Sequence, residues 1–315
     1  MAKQSYAAAL VDAIYDSLAA DDRASMIGSY VLGLGPQRSL MDRIREKFPD
    51  RVVDPPTSEA GSAAAGVGAA MAGMRPFVDL GTGSFTYLAM SQITNEAAVS
   101  YYMSNGQISA GVTFHLLHGV RGGGAAQHSH SPQSMLCNAP GLEIVAPYSA
   151  ADVYGLTRAA FASPNPTVIA SHAKLLGLET DVPDKKSVVP IGKADVKRAG
   201  RDVTIVANSL MTHYSLLAAD ALKADGIDAE VVDMRTLVPL DEETILASVK
   251  RTGRLVVVDE CPLRCGIASE VSASVAEHGF DLLKAPTQPM LVVGGEGQLK
   301  ELTSRMRPRR KRRPS

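Results

Sequence analysis

The segment Ser58-Glu59-Ala60-Gly61, continued to Gly73 almost wholly in Ala, Gly, Val and Met, is the feature that most restricts how this chain can fold. Ser58 is a favoured N-cap, and Pro55 and Pro56 before it cannot continue a helix, so a helix is predicted over 59–73 with Glu59 in its first turn. Gly61, Gly66, Gly68 and Gly73 would each weaken a solvated helix by ~1 kcal/mol relative to Ala. The helix is therefore expected to be buried, with another backbone or a cofactor pressed against its small-residue faces. A carboxylate at the mouth of such a seam has little water around it, which suits it to proton transfer. On the residues alone the favoured reading is that Glu59 only complements the helix dipole, as first-turn acids commonly do.

Around this helix the chain alternates strands and helices. Helical stripes are expected over 6–20, 39–47, 84–103, 133–137 and 150–162, and strands over 25–34, 51–54, 75–80, 110–117, 142–146 and 166–170. Between 179 and 200 the pattern breaks into charged, proline-containing sequence such as Asp181-Val182-Pro183-Asp184-Lys185-Lys186, and alternation resumes from Val203 to Glu277. The expectation is α/β, two doubly wound domains with parallel sheets covered on both faces. The boundaries are a first domain over 1–182, a linker over 183–200, a second domain over 201–304 and a tail over 305–315.

Charge and cysteine content narrow the function classes. The tail carries seven positive residues and no acid, and the remaining 25 Lys and Arg face 33 Asp and Glu, a net of −8 for the body. An acidic body argues against nucleic-acid binding, and the tail, without an apolar face, reads as disordered. Three cysteines make no disulfide framework in 315 residues and fit a reducing compartment. With no apolar signal core and no stretch near the ~20 apolar residues of a membrane span, a cytoplasmic protein is expected.

The glycine-rich loop 119–132 has the composition of a phosphate cradle but neither the P-loop nor the dinucleotide spacing. It carries His128 and His130, which on these residues alone read as solvated loop side chains before they read as catalysts. Taken together, Val53-Asp54-Pro55-Pro56-Thr57-Ser58-Glu59-Ala60-Gly61, Gly68-Ala69-Ala70-Met71-Ala72-Gly73-Met74-Arg75-Pro76, Gln92-Ile93-Thr94-Asn95-Glu96-Ala97-Ala98, Ala126-Gln127-His128-Ser129 and Val232-Asp233-Met234-Arg235-Thr236-Leu237-Val238-Pro239-Leu240-Asp241 stand in order. This set, spanning about residues 6–286, closely resembles the beta subunits of the thiamine-dependent 2-oxoacid dehydrogenases, the pyruvate dehydrogenase first component above all.

The resemblance implies a pyrimidine-binding domain followed by a transketolase-type C-terminal domain, and thiamine diphosphate shared with an alpha subunit in an α2β2 heterotetramer. It implies that Glu59 hydrogen-bonds a ring nitrogen of the aminopyrimidine and sets its tautomer, that Phe85 stacks on that ring, and that His128 serves acyl transfer to a lipoyl group on the acyltransferase core. Phe85 otherwise reads as an ordinary core residue. The chain has no Gly-Asp-Gly, so the resemblance implies that magnesium comes through the alpha subunit. A potassium ion is expected near Gly111, Val112 and Asn165, with Ser163 standing where many relatives have Asp.

Three departures bear on these expectations. Gly28-Ser29-Tyr30 replaces a Gly-Glu-Asp or Gly-Glu-Glu, His130-Ser131 replaces a Gln-Ser after the active-site His-Ser, and Gly294-Gly295-Glu296-Gly297 with the basic tail replaces the usual closing segment. The expected activity is oxidative decarboxylation of a 2-oxoacid, pyruvate first, with branched-chain oxoacids, acetoin and a non-catalytic alpha-pairing paralogue as alternatives.

Overall fold

The computed structural model describes residues 2–29, 38–121, 124–182 and 187–291. Tyr30, residues 183–186, the departing segment 294–297 and the tail 305–315 lie outside the described residues. In chain order the elements are β1 (Ala2–Ser5), α1 (Tyr6–Ala20), β2 (Ala24–Ile27), α2 (Arg38–Lys47), β3 (Val52–Val53), α3 (Glu59–Met71), β4 (Arg75–Thr82), α4 (Ser100–Met103), β5 (Thr113–His118), α5 (Gln133–Leu136), β6 (Glu143–Val145), α6 (Ala150–Ala162), β7 (Thr167–His172) and β8 (Glu179–Val182). They continue with β9 (Asp195–Arg198), β10 (Val203–Ala207), α7 (Ser209–Lys223), β11 (Ala229–Asp233), β12 (Thr236–Val238), α8 (Glu242–Thr252), β13 (Leu255–Asp259), α9 (Ile267–His278) and β14 (Gln288–Leu291).

Two compact units result. One holds the described residues of Met1–Ala194 and Met234–Asp241, the other those of Asp195–Asp233 and Glu242–Ser315. The first is built on a seven-stranded sheet of order β12-β6-β7-β5-β4-β2-β3, parallel throughout except for β12, which runs antiparallel to β6. Strands β5 and β7 are buried at every position, as a parallel sheet covered on both faces requires. A separate antiparallel pair joins β1 to β8. The second unit is a five-stranded sheet of order β14-β13-β10-β11-β9, with β9 the antiparallel edge. Both units are α/β, as the alternation of elements implies.

Local chemistry explains the helices that frame the first sheet. Ser5 caps α1 by accepting from the Ala8 amide, and Leu10, Ile14 and Leu18 form its buried stripe along α6. Helix α6 is capped by Ser149, which accepts from the Asp152 amide at 3.1 Å. Asp152, buried in the first turn of α6, in turn pairs with Arg235 Nη1 at 2.9 Å. Arg235 Nε donates to the Lys193 carbonyl at 2.8 Å, so this one guanidinium ties the segment leading into β12 to the helix beside it. The Met-Arg-Thr-Leu sequence thus has a local structural purpose in seating β12 at the sheet edge.

Helix α3 begins at Glu59 with Ser58 as its cap, the Ser58 Oγ accepting from Gly61 N at 3.2 Å. It ends at Met71, shorter than the expected 59–73, because Gly73 turns the chain with φ +95°. Its faces are unequal. Ser62, Ala63, Gly66, Val67 and Ala70 are buried against β4, where a Cβ on Gly66 would stand 2.3 Å from Val78 Cγ2. Gly61, Ala64, Ala65 and Gly68 on the other side are exposed, and a Cβ on Gly68 would meet nothing within 4 Å. The expectation of burial on every face therefore holds for one face of the single chain.

The helix expected over 84–103 is replaced by a 3-10 turn, Gly83–Ala89, a π-helical stretch, Gln92–Ala97, and the short α4. The chain here bends round two fixed neighbours and cannot wind at constant pitch. Gly83 is wedged against the loop after β5, and a Cβ on Gly141 would lie 2.0 Å from the Ala98 carbonyl oxygen.

The Arg235–Asp152 pair yields a stability test. Side-chain exposures of 14% and 4% place it among buried pairs, for which removing one partner costs about 3 kcal/mol. Urea unfolding of Arg235→Gln should show that loss, whereas Arg23→Gln, which breaks the solvent-exposed pair to Asp21, should leave the midpoint in place. Equal midpoints for Arg235→Gln and the parent chain would contradict the reading of this pair.

Candidate active site

Three chain segments leave the carboxyl ends of parallel strands of the first sheet, β5 and its neighbour β4, and β3 beyond β2. Beyond β3 the chain runs to the N-terminus of α3 and Glu59; beyond β4 it forms the turn Gly83–Ala89 with Phe85; beyond β5 it forms the loop that carries His128. In open α/β sheets this carboxyl edge is where ligands bind. Helix α3 packs against the Gly83–Ala89 turn, which puts Glu59 and Phe85 on touching elements.

Phe85 and His128 are themselves in contact. Their ring centroids are 5.3 Å apart at 72°, an edge-to-face pair, and both side chains are half-buried, so each keeps a face open to a ligand. Tyr87 and His130 repeat the arrangement at 5.8 Å and 83°. Side-chain bonds pin the loop to the turn and the end of β4: Ser84 Oγ donates to the Gln127 carbonyl and Arg121 Nη2 donates to Thr82 Oγ1 at 3.0 Å, while Gly119 N closes the loop on itself by donating to the His130 carbonyl at 3.1 Å. Gly83 permits this approach. A Cβ there would lie 3.2 Å from both the His130 carbonyl oxygen and Pro132 Cδ, and 3.3 Å from His118 Cβ.

Behind this contact is a layer of buried polar groups absent from the sequence-based expectations. His118, at the end of β5, has Nδ1 3.2 Å from Ser131 Oγ and 3.2 Å from the Gln133 amide nitrogen, anchoring the far end of the same loop. His172, at the end of β7, lies edge-on to it with centroids 5.0 Å apart. The Lys174 amide donates to His172 Nδ1 at 3.0 Å, so a neutral His172 carries its proton on Nε2. Deeper still, His115 bridges Asp79 Oδ1 at 3.3 Å and Ser171 Oγ at 3.0 Å, and Tyr6 donates its hydroxyl hydrogen to Ser171 at 2.9 Å. The signal for these groups was in the sequence: Thr113-Phe114-His115-Leu116-Leu117-His118 is a fully buried strand that spends two positions on histidine.

Glu59 is partly accessible in the single chain. Any loss of water around it has to come from something that covers the exposed face of α3. Leu88, on the Gly83–Ala89 turn that α3 touches, is 63% exposed.

Gly111, Val112 and Asn165 lie at the opposite, amino edge of the sheet, and the structure places a cation of the protein's own there. Arg75 Nη1 donates to the Ser163 carbonyl at 2.6 Å, and the point where a Gly111 Cβ would stand is 2.1 Å from the same nitrogen. The Val112 carbonyl accepts from Thr167 N at 2.9 Å. The Asn165 side-chain amide donates to Glu143 Oε1 at 3.0 Å, and Ser163 Oγ and Thr167 Oγ1 donate to Glu143 Oε2 at 2.7 and 3.0 Å. The Val112 carbonyl, the Asn165 amide nitrogen and the Ser163 carbonyl thus each have a partner within the chain.

Comparison with known proteins agrees with this architecture. The transketolase pyrimidine-binding domain matches residues 2–179, and the transketolase C-terminal domain matches residues 192–311. The chain is 40% identical over 285 residues to pyruvate dehydrogenase E1 component subunit beta-2, mitochondrial, of Oryza sativa subsp. japonica, covering 89% of this chain and 76% of the relative. It is 40% identical over 281 residues to the corresponding beta subunit of Rickettsia conorii, covering 89% and 86%. Against the beta subunit of Rhizobium meliloti it is 39% identical over 298 residues, covering 94% of this chain and 64% of that relative. Among solved structures, a split-gene transketolase in the form of an inactive beta4 tetramer superimposes with a TM-score of 0.76 at 24% identity, covering 93% of this chain and 91% of that one, a likeness of fold alone. With both domains in this order and relatives near 40% identity over most of its length, the chain belongs to the family of pyruvate dehydrogenase E1 beta subunits, the beta components of thiamine-diphosphate-dependent 2-oxoacid dehydrogenases.

Proposed function

We propose that this chain catalyses, together with an alpha subunit, the oxidative decarboxylation of pyruvate, with the aminopyrimidine half of thiamine diphosphate held at the edge occupied by Glu59, Phe85 and His128. The observation that carries the proposal is the half-open Phe85–His128 ring pair beside the N-terminus of α3. An aromatic face and a carboxylate at one sheet edge fit a flat aminopyrimidine, which needs stacking on one side and a proton partner at a ring nitrogen. Bound there, thiamine diphosphate supplies the nucleophilic carbon and the electron sink for loss of carbon dioxide.

In this reading Glu59 holds and exchanges a proton at the pyrimidine nitrogen, and the first turn of α3 fixes its position. Phe85 orients the ring. His128, braced edge-on by Phe85 and tied to the turn through its loop, offers a proton donor and acceptor to the acyl group on its way to a lipoyl group of the acyltransferase core. The exposed half of α3 and Leu88 on the turn beside it are the surface an alpha subunit would cover in an α2β2 assembly, removing water from Glu59. Magnesium at the diphosphate would enter through that subunit. With Arg75 at the Ser163 carbonyl, the chain supplies its own cation at the potassium position. Among the described residues no helix is long and apolar enough to cross a membrane, and the cytoplasm is the location we propose on cysteine content.

Replacing Glu59 by Gln keeps the shape and removes the ionisation. Carbon dioxide release from pyruvate by the assembled enzyme should fall by about 100-fold, the scale for a positioned acid–base group, with co-purification of the alpha subunit unchanged. Near-normal turnover in Glu59→Gln would rule out the assigned role. Exchanging potassium for sodium at constant ionic strength should leave both turnover and the thermal midpoint unchanged. A strict potassium requirement would mean that Arg75 yields its place to the ion.

A further inference from the structure

At the amino edge of the first sheet, away from the candidate active site, a cavity of about 100 Å³ is lined by Ser17, Asp21, Ala24, Arg75, Arg158 and Phe161 among its larger contributors. Two guanidinium groups share it. Arg158, on α6, has Nη1 shut off from solvent with no hydrogen-bond partner among the described residues. Arg75 donates one bond, to the Ser163 carbonyl, and its remaining donors have no partner among the described residues. The carboxylates nearby are already engaged. Asp21 is held by Arg23 through both oxygens, at 3.0 and 2.8 Å, and Asp16 accepts from the Tyr154 hydroxyl at 2.8 Å. Hydrogen bonds from Arg23, with the charge of Arg75 adding to them, keep the Asp21 carboxyl below its ordinary range, so Asp21 stays charged and matched to Arg23. Three guanidiniums, Arg23, Arg75 and Arg158, then stand against the two carboxylates Asp21 and Asp16, an excess of one positive charge.

A guanidinium nitrogen enclosed without an acceptor is costly, and native proteins satisfy such groups with a protein atom, ordered water or an ion. The volume equals about three waters, and a planar fork of donors is matched best by an oxyanion that accepts two bonds at once. We propose that the cavity between Arg75 and Arg158 is a binding site for a phosphate-sized oxyanion, which bridges the C-terminal turn of α1, the start of β4 and helix α6. Because the site lies at the sheet edge opposite Glu59, Phe85 and His128, its occupancy is separate from that of the thiamine site. The oxyanion can come as free inorganic phosphate or as the phosphate group of a small organic monoester.

The test is thermal unfolding and calorimetric titration of the full chain with inorganic phosphate, with glycerol phosphate as the monoester, and with chloride at matched ionic strength. Inorganic phosphate at about ten times its dissociation constant should raise the midpoint by several degrees while chloride does not. Arg158→Gln should weaken binding by about 10-fold or more, with a midpoint in chloride no lower than that of the parent chain, since it removes an unpartnered charge. Arg158→Lys, which keeps the charge and loses the fork, should weaken binding by a smaller factor. Tighter binding of the monoester than of inorganic phosphate assigns the site to organic phosphates, and the reverse assigns it to the free ion. No phosphate-specific shift in the parent chain, or equal shifts in the parent and in both Arg158 variants, would overturn the proposal.

Discussion

The seating of the loop after β5 on the turn after β4 is the contact on which the functional edge depends. It requires glycine at position 83, because a side chain there would press on the His130 carbonyl, Pro132 and His118 together. With that approach allowed, Ser84 reaches the Gln127 carbonyl, and the next residues on the two segments, Phe85 and His128, are brought ring to ring. Glycine is needed within the loop as well: Gly119 has φ +88°, and a Cβ on Gly124 would stand 2.9 Å from His128 Cβ. The loop is fixed from one side by the turn and from below by His118, which reaches Ser131 and Gln133. The catalytic role proposed for His128 needs such bracing, since small displacements of a positioned group cost rate steeply.

Helix α3 shows why the site is incomplete in one chain. Its small residues serve two surfaces with different partners. On the inner face Gly66 makes room for Val78, a contact within the fold. On the outer face Gly61, Ala64, Ala65 and Gly68 remain exposed, and the two glycines among them weaken a helix that faces water. A second backbone laid against that face would explain their presence and would enclose Glu59 at the head of the same helix.

Much of this was legible in the sequence, for identifiable reasons. The cap at Ser58 and the prolines before it fix the start of α3 locally, so Glu59 could be placed in its first turn without any tertiary information. The parallel sheets followed from alternating buried runs such as β5 and β10. What escaped depends on contacts distant in the chain. The helix expected over 84–103 is broken because Gly83 and Ala98 touch residues far away in sequence, at 130–132 and 141, which no local periodicity records. Strand β12 joins the first unit's sheet through Arg235 and Asp152, separated by 83 residues. The potassium expectation came from resemblance at Asn165, whereas Arg75, which donates to the nearby Ser163 carbonyl, enters from another strand.

The central claim is that a second chain completes the site by covering α3 and, through it, the loop bearing His128. Hydrogen–deuterium exchange over residues 59–71 and 124–132 tests it most directly, comparing the free chain, the chain with thiamine diphosphate and magnesium, and the chain with its alpha subunit added to both. The account expects little change on adding cofactor alone and strong slowing in both segments once the alpha subunit is present. Full protection of both segments by cofactor in the absence of the alpha subunit, or none in its presence, would contradict it.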